Sequence, residues 1–366
     1  MELFADFDVS LTTRYLPEYL RKETKRAKLT GFDDKARDEY IRKAVVGNNN
    51  DAVEKIKQRL YANSIVADLC QVPLIFVMFA HMAHDQRDFM KFKSVTHFFK
   101  HIIRCFYNHL NRKRKLNDRH IRLYLHEMEH HELDKIAFEG LNKEHQQLSW
   151  IKTEFCERVG PESYHQYISI GILVEEDVVS DDSTVDNVLF TTMVRFYHKL
   201  FCEWYAAHHL VIVVKNAYDI NRTLRFLDPV DLQYLFRFAC GLDPDAGKKL
   251  INHLKSLPGG DTFAILCILE QTGDVNEIMD SVKDLCSRDV KIQEGDSALL
   301  QRSTTQLLEI ASNNDIPISC LHLDYSSIKF EGDTIILHSG IPLPKLPTVE
   351  KIHIDGSNAQ YGNTGQ

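Results

Sequence analysis

Two histidine motifs carry the chemical options of this sequence. The first is His126-Glu127-Met128-Glu129-His130, which fits HExxH. In that pattern two imidazoles one helical turn apart bind zinc, and the glutamate activates a water. Glu129 is a charge where zinc peptidases usually carry an apolar residue, and the third-ligand candidates, Glu154 and Glu157, follow at no distinctive spacing. Leu125, Met128, Leu133 and Ile136 make a buried stripe with His126 and His130 to its side, as on an ordinary surface helix. A zinc hydrolase using His126, Glu127 and His130 is therefore the weaker alternative.

The second motif centres on His198, inside VLFTTMVRFYHKLFCEWYAAHHL from Val188 to Leu210. Apolar residues at Phe190, Met193, Val194, Tyr197, Leu200, Phe201, Trp204 and Tyr205 fit one buried helix face. The first half is also rich in β-branched and aromatic residues, which suits a strand, with the helix then starting near Leu200. On that reading His198 stands at a strand-to-helix junction. Backbone N–H groups at a helix start suit a bound anion, phosphate above all, and an imidazole beside them adds a donor.

Other motifs are incomplete. GLDPDAGKK, from Gly241 to Lys249, has the wrong glycine spacing for a phosphate loop and Lys249 where Ser or Thr is required, so it predicts a helix–helix turn. No complete GxxxxGK[ST] occurs in the sequence. Arg112, Lys113, Arg114 and Lys115 suit the carboxyl end of a helix.

The elements that position these residues are drawn from 366 residues, enough for two or three domains with real cores. Apolar content of 44% and charged content of 26% are ordinary for globular protein. A net charge of −8 argues against a general nucleic-acid surface. Eight scattered cysteines without a close CxxC pair predict reduced thiols in a cytoplasmic setting. The longest apolar run, Val72 to Ala83, is too short to span a bilayer and predicts a core helix instead.

Along the chain, Val9 to Thr12 reads as a strand running into Thr13-Arg14, and the opening looks cut into rather than begun. Helices follow over Leu29 to Val45, capped by Asp33, over Ala52 to Leu60, from Pro73, and over Lys91 to Arg114. A helix capped by Asn117 or Asp118 is expected to run through Phe138. Lys152 to Val159 is helical and Ser169 to Asp177 a strand, with a polar hairpin loop over Asp177 to Asp186. From Lys215 the pattern is paired helices: one begins at Asp228-Pro229 and ends at Gly241, and others cover Ala246 to Ser256, Asp261 to Gln271 and Val275 to Leu285.

Ile318-x-x-Leu321-x-Leu323-x-x-Ser326-x-Ile328 fits the strand segment of a leucine-rich repeat, and Val349-x-x-Ile352-x-Ile354-x-x-Ser357-x-Ala359 fits it again. A plain β-hairpin explains the same alternation. Asn358 to Gln366 reads as disordered.

Taken in order, LTTR, LTGF, CQVPL, LDKIAFEGL and FYHKLFCEWYAA resemble NACHT-type NLR proteins, nucleotide-controlled switches of innate immunity. The resemblance runs from Leu11 to about Asn314. It implies a mainly α chain: the end of a nucleotide-binding sheet over 1–20, a first helical domain over 21–116, a winged-helix domain over 117–214, a second helical domain over 215–314, and a leucine-rich-repeat-like start with a tail over 315–366. It further implies that Arg14 reads the terminal phosphate of ATP, that Pro73 packs on adenine, and that His198 contacts the phosphates of ADP. The chain is then the non-catalytic control half of a switch held closed by ADP, which oligomerises on exchange for ATP. Its partners would be copies of itself and protein or microbial ligands on the repeats, without nucleic acid or a membrane span. A helical scaffold that binds only proteins is the alternative from another class.

Overall fold

The computed structural model describes residues 34–47, 49–61, 69–70, 72–85, 92, 94–113, 130–179, 189–229, 231–257, 260–271, 275–293, 295–296, 298–332, 334–337 and 342–355. Among them the chain is mainly helical with small sheets. The expected strand before Arg14, the Asp33 cap, His126 with Glu127, most of the polar loop after Asp177, and the Asn358 to Gln366 tail lie outside the described residues.

A first group of helices comprises α1 (Asp34–Tyr40), which runs on as a π-turn over Ile41–Val46, α2 (Asn50–Tyr61) and α3 (Pro73–Asp85). Ile41, Val53, Ile56, Leu60, Phe76 and Phe79 supply its core. Arg37 ties the group together: it donates to the Cys70 carbonyl at 3.1 Å and lies over the Phe76 ring. Next comes α4 (Val95–Lys113).

A β-containing group follows. It runs α5 (His131–Gly140), β1 (Ser149–Ile151), α6 (Lys152–Val159), α7 (Pro161–Ile170), β2 (Leu173–Val179) and β3 (Phe190–Phe196). The strands form an antiparallel sheet in the order β1-β3-β2, with Trp150 opposite Val194 and Leu173 opposite Phe196. Val179 pairs with Phe190, so β2 and β3 are the arms of a hairpin.

Two expectations change here. Of the helix expected to run from Asn117 or Asp118 through Phe138, the part before His130 lies outside the described residues; His130 has the non-helical dihedrals φ −99°, ψ 40° of a cap and α5 starts after it. Ser169 and Ile170 end a helix rather than begin a strand. Pro161 at its first turn and Gly171 in the left-handed region (φ 84°) after its last are its start and stop signals.

The long helix α8 (Lys199–Asn216) packs between α5 and α10 (Gln233–Leu242), with the short α9 (Ile220–Leu224) between them in sequence. Helices α11 (Pro244–Lys255), α12 (Gly260–Glu270) and α13 (Val275–Cys286) stack onward. GLDPDAGKK is a helix–helix turn: Asp243 accepts from Ala246 N at 2.9 Å and Pro244 fills the first turn. Gly241 does not end α10 but lies within it, where an added Cβ would stand 2.6 Å from the Thr96 Cβ. That glycine lets α10 approach the start of α4.

The carboxyl end is a parallel sheet in the order β4-β5-β8, from β4 (Asp289–Ile292), β5 (Cys320–Asp324) and β8 (Ile352–Asp355). Helix α14 (Ala298–Asn313) crosses from β4 to β5, and β6 (Ile328–Glu331) with β7 (Thr334–Leu337) makes a hairpin before β8. The register advances from 289 to 320 and from 321 to 352, 31 residues each time. Ile318, Leu321 and Leu323 stand opposite Val349, Ile352 and Ile354, so the two repeat-like segments pair in parallel and are not a hairpin. Strand β4, which the paired-helix reading missed, starts this sheet inside the segment expected to be wholly helical.

Candidate functional site

The strand-to-helix reading of the His198 segment is the one observed. β3 alternates as a half-buried strand should, with Val194 and Phe196 buried and Arg195 exposed. Tyr197 N donates to Ile172 O at 2.9 Å, which fixes the end of the strand against the β2 side. His198 is extended (φ −144°, ψ 148°) and is the N-cap of α8.

The imidazole does the capping. Nδ1 accepts from Leu200 N at 3.2 Å, which in the neutral ring assigns the proton to Nε2. The His198 carbonyl accepts from Phe201 N at 3.0 Å. Two of the first backbone donors of α8 are thus already used. Lys199 is also committed, donating to Asp231 O at 2.8 Å and pairing with Glu203 at 3.3 Å. The His198 ring is half-buried at this junction.

Behind it the remaining motif residues are core. Phe201 packs on Phe99 and Phe106, and Trp204 packs on Phe99 and Phe238 with centroid separations of 5.4 and 5.1 Å. Such pairs add roughly 0.5–1.5 kcal/mol each beyond area burial. Glu203 is buried, and loss of water pushes its carboxyl up to about 7, while Lys199 and the backbone N–H groups of Leu235 and Tyr234 pull the other way. Those amides open α10, whose N-cap Leu232 has no side-chain cap, so this acid links α8 to the start of α10.

A second polar cluster lies against the other side of α8. His130 Nδ1 meets the Tyr167 hydroxyl at 2.8 Å and its Nε2 meets the Tyr107 hydroxyl at 3.2 Å. Tyr107 and Tyr205 are joined at 3.4 Å. Both nitrogens of His130 are therefore held by tyrosines, and the ring is no surface zinc ligand. Burial drives His130 down to about 4 and His208 down to about 4, so both stay neutral at pH 7. Asp134 has a buried Oδ1 without a hydrogen-bond partner, and burial pushes its carboxyl up to about 8. The sequence reading missed Tyr107, Asp134, Tyr167 and His208, and placed Tyr205 only on a buried apolar face. The available signal was that Asp134 stands between Leu133 and Ile136 in the apolar stripe of α5.

Pro73 occupies the first turn of α3 as expected and is exposed. Its helix packs on α2 and the π-turn, whereas His198 belongs to the layer of α5, α8 and α10. Arg14 lies outside the described residues. Of the three residues expected to meet a nucleotide, the described residues thus place Pro73 and His198 in separate helical layers. A cleft of about 610 Å³ opens elsewhere, lined by Lys143, Asn221, Arg225, Asp228 and His253. There Asp228 neutralises Lys143 at 2.6 Å and Asn221 fixes the His253 ring at 2.6 Å. No family model matches this chain, and no curated protein matches it.

Proposed function

We propose that this chain is the regulatory, non-catalytic part of an NLR-like nucleotide-dependent switch in innate immune signalling. The observation that carries the reading is the succession of elements. Helix α5, β1, α6, α7, β2, hairpin and β3 follow the order of a winged-helix domain. The helix after it carries His198 as its N-cap, stacked helices come next, and a parallel ladder advances by 31 residues, just above the roughly 20–29 residues of a leucine-rich repeat. The repeat row supports the same reading. Leu321 and Leu323 are fully covered, while Ile352 and Ile354 on the next strand are 50% and 45% exposed, as at the open end of a stack.

In this reading His198 donates from Nε2 to a phosphate, the repeat face takes protein or microbial ligands, and release of the winged-helix group allows oligomerisation in the cytoplasm. Arg14 and Pro73 remain the proposed contacts to the terminal phosphate and the adenine. The test is ADP titration by calorimetry of the wild type and His198→Asn. Asparagine is itself a favoured N-cap, so it keeps the fold while removing the imidazole donor. Weak ADP binding that disappears in His198→Asn, at unchanged melting temperature, is expected. Submicromolar binding, or binding equal in the two proteins, would overturn the reading.

The protein-only scaffold is favoured by one observation, that the helix-start donors are already satisfied. It predicts no heat with ADP in either protein.

A further inference from the structure

The outer face of the parallel sheet carries a second constellation. Side chains alternate along strands, so Cys320 and His322 share the face opposite the buried Leu321 and Leu323. In register, Asp289 on β4 stands beside Cys320, His353 on β8 beside His322, and Asp355 beside Asp324. His322 is central. Its Nε2 is 3.4 Å from Asp289 Oδ2 and 3.3 Å from Cys320 Sγ, and its Nδ1 is 3.8 Å from Asp355 Oδ2. One ligand atom from each of Asp289, Cys320 and His322 lies within 4.8 Å of the others.

We propose that Asp289, Cys320 and His322 form a zinc site. The distances carry it. Tetrahedral zinc with bonds of about 2.3 Å to sulfur and about 2.0–2.1 Å to nitrogen and oxygen sets ligand-to-ligand edges of roughly 3.4–3.6 Å. The two edges meeting at His322 Nε2, 3.3 and 3.4 Å, are within about 0.3 Å of that length. Thiolate, imidazole and carboxylate together select zinc over calcium or magnesium, which take oxygen-rich shells. Asp355 faces the remaining nitrogen of His322, the carboxylate position that fixes the tautomer of a metal-bound imidazole. Two ligands come from β5 and one from β4, with the orienting acid on β8, so one ion fastens β4 to β5 and Asp355 adds β8 beside it.

Three protein ligands leave one position open on an exposed face, for water, for His353 whose ring stacks 4.9 Å from His322, or for a partner's side chain. Binding converts the Cys320 thiol to thiolate and releases its proton. The site stands on this sheet alone and is independent of the switch reading.

The test is titration of the metal-free full chain with zinc chloride by calorimetry, and with cobalt chloride by absorption spectroscopy. Expected are one zinc ion per chain, proton release visible as a buffer-dependent heat, and a cobalt–thiolate charge-transfer band. Cys320→Ser should abolish the band and His322→Asn should abolish tight binding, with circular dichroism unchanged. Asp355→Asn should keep the stoichiometry and weaken affinity by roughly 10- to 100-fold. A Glu127→Gln control should titrate as wild type. Absence of binding, a cobalt spectrum without the thiolate band, or Cys320→Ser titrating as wild type would each overturn the proposal.

Discussion

Replacing Glu270 should loosen the structure at two places 141 residues apart in sequence, Thr96 and Arg237. Glu270 is 1% exposed and its partner Arg237 is 3% exposed. Arg237 donates to Oε1 from Nη2 at 2.7 Å and from Nε at 3.1 Å. The other oxygen accepts from Thr96 N at 2.9 Å and from the Thr96 hydroxyl at 2.9 Å, at the first turn of α4. One carboxylate therefore neutralises a buried guanidinium and caps a helix from another layer. Glu270→Ala strands the charge of Arg237, an effect worth about 3–5 kcal/mol for a broken buried pair. It also removes a cap worth about 1 kcal/mol. Removing both charges, in Arg237→Met with Glu270→Met, leaves chiefly the cap loss, so the double variant should be more stable than Glu270→Ala.

The assay is urea unfolding of the single and double variants, with amide exchange at Thr96 as the local probe. A loss below about 1 kcal/mol for Glu270→Ala, against the range expected for a buried pair, would refute the reasoning. So would strictly additive single and double variants, or an unchanged Thr96 exchange rate.

Asp134 gives a pH prediction. Its carboxyl is raised to about 8 from 3.8, so the folded state holds a proton that the unfolded state has lost between those values. Stability from this group is therefore present at low pH and falls as pH rises toward 8. His130 and His208, lowered to about 4, act oppositely: their contribution is present above 6.5 and is lost as pH falls toward 4. Wild type should weaken between pH 6.5 and 8 in thermal melts, and Asp134→Asn should flatten that fall; an equal slope in the two proteins would contradict the assignment. Gly241→Ala should cost about 1–3 kcal/mol by pushing α10 off Thr96, measured by urea midpoint, and Thr96→Ala in the same chain should recover part of it.

Much of the chain was legible because local signals agreed. Pro73 started a helix, the helix expected from Ala246 begins two residues earlier at Pro244, and the polar stretch after Asp177 separated two arms of a hairpin. The alternation around Leu321 and Ile352 marked two strands, and their equal spacing from Ile318 and Val349 anticipated the shared register. Errors came where two periods were compatible. Ser169 and Ile170 are apolar or neutral enough for either element, and the helix won because Gly171 supplies the left-handed turn that ends it. β4 is four residues long, too short for alternation to stand out beside the helices around it.

By itself the sequence determined the mainly helical class and raised the candidate chemistry at His198 and His130, since these rest on residue type and on neighbours within one or two turns. Only the tertiary structure decided what those groups do. It put Tyr107 and Tyr167 against the two nitrogens of His130, turned His198 Nδ1 back onto its own helix, and laid Asp289, Cys320 and Asp355 around His322 from three strands. The physical reason is that a ring's hydrogen-bonding and metal-binding capacity is set by atoms within about 3–4 Å, and those atoms arrive from segments that no local pattern connects.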